Sequence, residues 1–217
     1  HPNIYKAAKF AMKSGAHSIT IHLREDRRHI KDNDLKKISS NKSIPLNLEI
    51  AANKKMLKIA LKNKPNFVCI VPEKRKEITT EGGLNLKKNL IKIKNIVHIL
   101  NKKKIRTSLF INPSIENIKI SKKINSKCVE IHTGKISTKI KNNSNHLYEL
   151  NKIIKCAKYA KSLGIEVHAG HGMDYKTTKI LSKVREIEEF NIGHFIIGES
   201  IFFGLNKIIK IFRKISK

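Results

Sequence analysis

The hydrophobic pattern of this 217-residue chain changes period repeatedly, and that alternation restricts its fold more than any single motif. Short apolar, β-rich runs lie at residues 18–22, 46–49, 67–71, 108–111, 129–132, 166–169 and 190–193. Between them, at 33–39, 53–62, 86–101, 115–124, 146–162 and 176–184, apolar residues recur at a helical spacing. A further such segment opens the chain at 3–13, with Gly15 as its stop, and another closes it at 199–215. Strand-like runs separated by amphipathic helices are the signature of a parallel α/β fold. No G-x-G-x-x-G follows any run, and polar residues crowd the ends of nearly all of them, whereas a Rossmann-like sheet gathers its chemistry in one crevice. The pattern therefore predicts a (β/α)8 TIM barrel. Seven strands are visible and the chain opens with a helix, so the first strand is expected to be missing. Residues 1–217 are expected to form a single barrel domain that is incomplete at its amino terminus.

Composition narrows the class further. Hydrophobic residues make up 40%, enough for a packed core, and no apolar stretch is long enough to span a membrane. The three cysteines, Cys69, Cys128 and Cys156, are far apart and none forms a C-x-x-C pair. Buried free thiols in a reducing compartment are expected, without a zinc site. The net charge of +29 suggests a polyanion partner, and a basic nucleic-acid-binding scaffold is one alternative function. However, the excess is almost all Lys, scattered over every helix and accompanied by many Ile and Asn. Aromatics reach only 6%, with no basic-aromatic interleaving for base stacking. A solvated basic surface with no specific nucleic-acid site is the simpler expectation.

The chemistry is concentrated where the strands end. In the run from His22 to His29, seven of eight residues are ionisable, directly after Ser18-Ile19-Thr20-Ile21. A packed core excludes so many charges, and a plain surface loop does not need two histidines and three arginines. The next ends supply Glu49, then Glu73-Lys74-Arg75 with Thr79-Thr80-Glu81-Gly82-Gly83, then Asn112-Pro113. Glu130 and His132 follow, then His168-Ala169-Gly170-His171-Gly172, then Asn191-Ile192-Gly193-His194. The two glycine-histidine turns suit phosphate, because glycine lets backbone N–H groups approach an anion. Several histidines beside carboxylates suit repeated proton transfer near neutral pH. Each residue also has a plainer explanation. Glu49 alone could be an ordinary ion-pair partner, and His132 a residue that only supports its neighbours. His98 and His146 are expected at the surface, His17 in a structural turn, and Glu73 to Arg75 in a solvated loop.

Taken together, these motifs resemble the pyridoxine 5'-phosphate synthase family, the barrel enzymes of the deoxyxylulose-dependent route to vitamin B6. The similarity spans the chain and is carried by residues 22–30, 47–49, 71–75, 79–83, 108–111, 130–134, 169–172 and 191–194. It implies condensation of 3-amino-2-oxopropyl phosphate with 1-deoxy-D-xylulose 5-phosphate to pyridoxine 5'-phosphate, phosphate and water, with no metal or organic cofactor. By the same resemblance His22 and Glu49 are proton acceptors, His171 is a proton donor, and Glu130 stabilises a charged transition state. Arg24, His29 and Thr79 would hold deoxyxylulose phosphate, and Gly172, Gly193 and His194 the amino-ketone phosphate. A cytoplasmic homo-octamer is implied. The family's first strand, with an Asn and an Asp-His pair, and an Arg in the following loop have no counterpart here. An inactive truncated remnant is therefore the second alternative. His168 stands where Asn is usual, and Glu199 where Arg is frequent.

Overall fold

The computed structural model describes residues 3–73 and 82–216. Among them, seven strands form one sheet in simple sequential order, every neighbouring pair parallel. The strands are β1 (Ile19–His22), β2 (Leu46–Ala51), β3 (Phe67–Val71), β4 (Arg106–Ile111), β5 (Cys128–His132), β6 (Glu166–Gly170) and β7 (Ile187–Asn191). The helices are α1 (Ile4–Lys13), α2 (Asp32–Ser40), α3 (Lys54–Asn63), α4 (Leu90–Lys102), α5 (Ile115–Lys123), α6 (Gly134–Lys141), α7 (Leu147–Ser162), α8 (Tyr175–Leu181), α9 (His194–Phe203) and α10 (Leu205–Ile215). Side-chain oxygens fix several helix starts. Asn3, Asn53 and Asp174 accept from the backbone N–H of Lys6, Met56 and Thr177, satisfying donors that a helix leaves open at its first turn.

The sheet is strongly curled. In a flat sheet of this order, β1 and β7 would lie roughly 29 Å apart at about 4.8 Å per strand. Instead Thr20 Oγ1 of β1 donates to Asn191 Oδ1 of β7 at 3.0 Å. Curling gives the sheet an outer and an inner face, and strand alternation assigns residues to each. Leu46, Leu48, Ile50, Val68, Ile70, Leu109, Ile111, Val129, Ile131, Val167 and Ala169 point outward. All are fully or almost fully buried, packed with Leu35, Met56, Ala60, Ile93, Val97, Leu100 and Ala157 of the helices in one large core. The inner face is mostly polar: Thr20, His22, Asn47, Glu49, Ser108, Glu130, His132, Glu166, His168, Glu189 and Asn191. Its apolar part is Phe67, Cys128 and a separate small cluster of Cys69, Val71 and Phe110.

Three elements differ from the sequence pattern. β7 ends at Asn191 and begins at Ile187, earlier than 190–193, because Glu188 and Glu189 belong to the strand. A run with two carboxylates does not look like a core strand, yet Glu189 faces the polar interior. α6 lies between the helical segments expected at 115–124 and 146–162, in a stretch for which the pattern predicts no element; its sequence GKISTKIK has a helix-poor opening and few apolar residues. The closing helix of 199–215 is two helices, broken at Gly204, whose φ of 79° is left-handed backbone that glycine adopts without strain. The lysine excess lies largely on exposed helix faces, as at Lys58 and Lys94.

Stability should therefore reside on the outer face. Leu109→Ala, at a position of zero exposure, is expected to cost about 2–5 kcal/mol. Lys94→Ala should change stability by less than about 0.5 kcal/mol. Urea unfolding of the two variants checks both.

Candidate active site

All seven strands run in parallel, so their carboxyl ends share one rim. At that rim β1 delivers His22, whose Nδ1 lies 3.7 Å from Glu49 Oε2 of β2. Its Nε2 lies 3.7 Å from Glu73 Oε2, just after β3. Glu73 is held there because its Oε1 accepts the Glu25 backbone N–H at 2.8 Å, with its side chain only 5% exposed. The expectation of a solvated loop fails for Glu73, while Lys74 and Arg75 lie outside the described residues.

The segment after β1 divides its charges by task. Arg27, in left-handed backbone, donates to the carbonyls of Arg24 and Glu25 and pairs with Asp32 at the start of α2. Arg28 pairs with Asp26 at 2.5 Å, and that bond holds the Asp26 carboxyl down to about 2. Asn53, which caps α3, donates to Glu25. These contacts brace the turn. Arg24 is buried, its field felt by both His22 and Glu49, whereas His29 is exposed on the rim.

Proton affinities at this end depart from their ordinary order. Burial, with the fields of Arg24 and His29, lowers His22 to about 4. Removal from water raises Glu49 to about 7, with Arg24 opposing. Normally a carboxylate is the weaker base of such a pair; here the imidazole is.

Glu130 of β5 lies deeper, 3% exposed. Its Oε2 accepts from Asn191 Nδ2 at 3.0 Å and from the Cys69 thiol at 3.7 Å. Burial first, then the carboxylates Glu49 and Glu189, push its pKa well above the usual range. Beside it, Thr133 Oγ1 lies 2.8 and 2.7 Å from the carbonyl oxygens of Gly170 and His171 and shares its one proton between them, while its backbone N–H donates to the Gly170 carbonyl at 2.9 Å, fixing the turn after β6. His171 sits in that turn with φ 78°, its ring 4.8 Å from that of His132. Phe110 meets His132 edge-on at 5.3 Å. Burial lowers His132 to about 4, with His171 and Lys135 adding to it. Gly172 follows His171, and Gly193 and His194 form the exposed start of α9, where backbone N–H groups open towards an anion.

The structure thus brings His22, Glu49, Glu130 and His171 to one basin, with Arg24, His29, Gly172, Gly193 and His194 around it. Thr79 lies outside the described residues. Sequence reasoning passed over Cys69 and the side chain of Asn191. Cys69 looked like a core residue, and Asn191 was visible only as part of a glycine turn; inward alternation on β3 and β7 is the signal that finds both.

Among the described residues, Cys128, Glu166 and His168 bring possible metal-ligand atoms within 4.8 Å of one another. Glu166 Oε1 is already shared by Arg106 and by His168 Nε2, the latter at 2.8 Å. Those bonds hold Glu166 down to about 2, while burial pushes the Cys128 thiol up. A guanidinium fixed on the carboxylate repels a second cation, so this group is an internal ion network under the basin.

Known proteins are similar to this chain in sequence and in fold. The family model described as "Pyridoxal phosphate biosynthesis protein PdxJ" matches residues 1–217. A pyridoxine 5'-phosphate synthase of Pelagibacter ubique is 63% identical over 216 residues, covering 100% of this chain and 90% of that protein. One from Zymomonas mobilis is 49% identical, covering 97% of this chain and 81% of its own length. In fold, a solved 4-hydroxy-2-oxoglutarate aldolase/2-deydro-3-deoxyphosphogluconate aldolase matches with a TM-score of 0.66 at 8% identity, covering 100% of this chain and 90% of the aldolase. That last likeness concerns the curled α/β architecture alone. The chain belongs to the PdxJ family of pyridoxal phosphate biosynthesis proteins.

Proposed function

We propose that the basin joins 3-amino-2-oxopropyl phosphate to 1-deoxy-D-xylulose 5-phosphate, with His22 and Glu49 as proton acceptors, His171 as proton donor and Glu130 stabilising a charged transition state. Pyridoxine 5'-phosphate synthesis as the activity follows from the family and from 63% identity over essentially the whole chain. The observation that carries the assignment of residues is the inverted pair at the rim. Between pH 4 and 7 His22 is unprotonated and Glu49 protonated, so no ion pair neutralises the two groups. Their 3.7 Å separation is longer than a hydrogen bond, so neither group is fixed on the other. His22 is then free to accept a proton. Glu49 titrates near neutral pH, where an acid–base group works best. Glu130, buried and short of cations, holds its proton tightly; once it has given that proton up, its carboxylate stabilises a positively charged transition state more strongly than it would in water. His171, held by Thr133 and by the ring of His132, faces the same basin as donor.

In this reading Arg24 grips the phosphate of deoxyxylulose phosphate with its planar fork, and His29 helps to hold the same substrate. Gly172, Gly193 and His194 offer backbone donors to the other. Thr79 completes the deoxyxylulose phosphate site in this reading. Neither step requires a metal or an organic cofactor.

The finer architecture is a (β/α)8 barrel in which a further strand sits between β7 and β1. Its support is that Thr20 and Asn191 meet through side chains, as alternate strands do inside a barrel. A homo-oligomer is supported by α9, which has no buried residue and leaves Ile197, Ile201, Phe202 and Phe203 between 53% and 78% exposed. A cytoplasmic location is supported by the free, buried state of Cys69, Cys128 and Cys156. No described helix is long and apolar enough to cross a membrane.

His22→Asn and Glu49→Gln should each lower kcat by about 10²–10⁴-fold, the usual size of a lost acid–base group. Glu49 must be unprotonated to accept, and its pKa is raised to about 7, so kcat/KM should fall as pH drops below about 7. Glu49→Gln should remove that limb from the residual activity. A profile unchanged by the substitution would clear Glu49 of the role. For the oligomer, Phe202→Lys should lower the mass in sedimentation velocity without unfolding the chain; an unchanged mass would take α9 out of the interface.

A further inference from the structure

A chain of directed hydrogen bonds runs round the inner wall from β2 to β5. Asn47 Nδ2 donates to Thr20 Oγ1 at 3.3 Å. Thr20 Oγ1 donates to Asn191 Oδ1 at 3.0 Å. Asn191 Nδ2 donates to Glu130 Oε2 at 3.0 Å. A hydroxyl has one proton. With Asn47 occupying an oxygen lone pair, that proton points at the carbonyl end of the Asn191 amide. Turned over, the amide would present its oxygen to Glu130 Oε2 and Thr20 would have to accept instead of donate, so the three bonds together favour the N–H end against Glu130.

The carboxyl of Glu130 is thereby made unequal. Oε2 accepts from both Asn191 and Cys69. Oε1 lies over Gly170, where a side-chain carbon would stand 2.1 Å from it. A proton held by Glu130 belongs on the oxygen that is not already filled with donors, and that oxygen is beside the turn carrying His171.

We propose that Asn191 is a positioning residue for Glu130, with Thr20 and Asn47 fixing its amide so that Glu130 carries its exchangeable proton on Oε1, beside the Gly170–His171 turn. The proposal rests on the reading that Glu130 takes part in the synthesis. The groups facing Glu130 are Glu49 from β2, Cys69 from β3, His168 from β6 and Glu189 from β7. The carboxylates and burial raise its proton affinity, while the bonds from Cys69 and Asn191 lower it. Loosening the amide therefore raises that affinity further.

Thr20→Val keeps the shape and removes the hydroxyl; Thr20→Ser keeps the hydroxyl. Thr20→Val should lower kcat by about tenfold, leave both KM values within about twofold, and move the pH limb governed by Glu130 upward. Thr20→Ser should restore rate and profile. Asn191→Asp, which sets an acceptor against Oε2, should cost more than Thr20→Val. In a Glu130→Gln background, Thr20→Val should have no further effect, because the group it positions is gone. Equal losses in Thr20→Val and Thr20→Ser, together with equal falls in urea midpoint, would mean a structural role and overturn the proposal. So would full activity in Thr20→Val while Glu130→Gln is inactive. Full activity in Glu130→Gln would instead overturn the assignment of Glu130 itself.

Discussion

The division of the sheet into an apolar outer face and a polar inner face is the constraint on which the rest depends. Outward residues such as Leu48, Ile70, Leu109 and Ile131 are sealed against the helices. That layer supplies the apolar burial, at roughly 25 cal/mol per Å². A barrel more often fills its interior with branched apolar side chains in layers. Here the interior apolar cluster shrinks to Cys69, Val71 and Phe110. The inner wall can therefore hold titratable groups, which a conventional interior would exclude.

Polar groups inside a fold must find partners, and this wall satisfies many of them in linked sets. At the amino-terminal ends of the strands, Arg106 stacks over Phe67 at 4.0 Å and binds Glu166, which also holds His168; His168 Nδ1 lies 3.5 Å from Glu189. Asn47, Thr20 and Asn191 lead to Glu130 in the middle. At the rim His22 faces Glu49 and Glu73 without a hydrogen bond, and His22 Nε2 and Glu73 Oε2 are buried without partners. Buried atoms without a hydrogen-bond partner also occur lower on the wall, at Asn47 Oδ1, Ser108 Oγ and Glu189 Oε1. Unmet hydrogen-bonding capacity at the open rim, at His22 and Glu73, is where a polar substrate gains most from binding.

Much of this was legible in the sequence. The alternation of periods located all seven strands, and the strand-end motifs held the residues that meet in the basin. What escaped did so for physical reasons. β7 was displaced because Glu189 faces a polar interior, and a pattern rule assumes that strand interiors are apolar. α6 formed from a sequence with weak intrinsic preference, carried by burial of Ile136 and Ile140. Glu73 looked solvated because its partner, the Glu25 backbone N–H, lies 48 residues away. His168 was noted as a departure from the family's Asn, but its bridge between Glu166 and Glu189 depends on strand register, which no local motif encodes.

Residues that are small matter as much to the basin as those that react. A side chain on Gly134 would come within 2.8 Å of His132 and 3.1 Å of His171, so the paired imidazoles exist only because that position is bare. A side chain on Gly170 would occupy the space of Glu130 Oε1. Both glycines stand where the chain meets the inner wall, one at the end of β6 and one at the start of α6. The wall is therefore shaped from two sides. Inward alternation sets which strand residues point at the basin, and the absence of two side chains sets how far Glu130 and His171 can enter it. A site assembled this way fixes its reacting groups by packing, so their geometry exists before any substrate arrives.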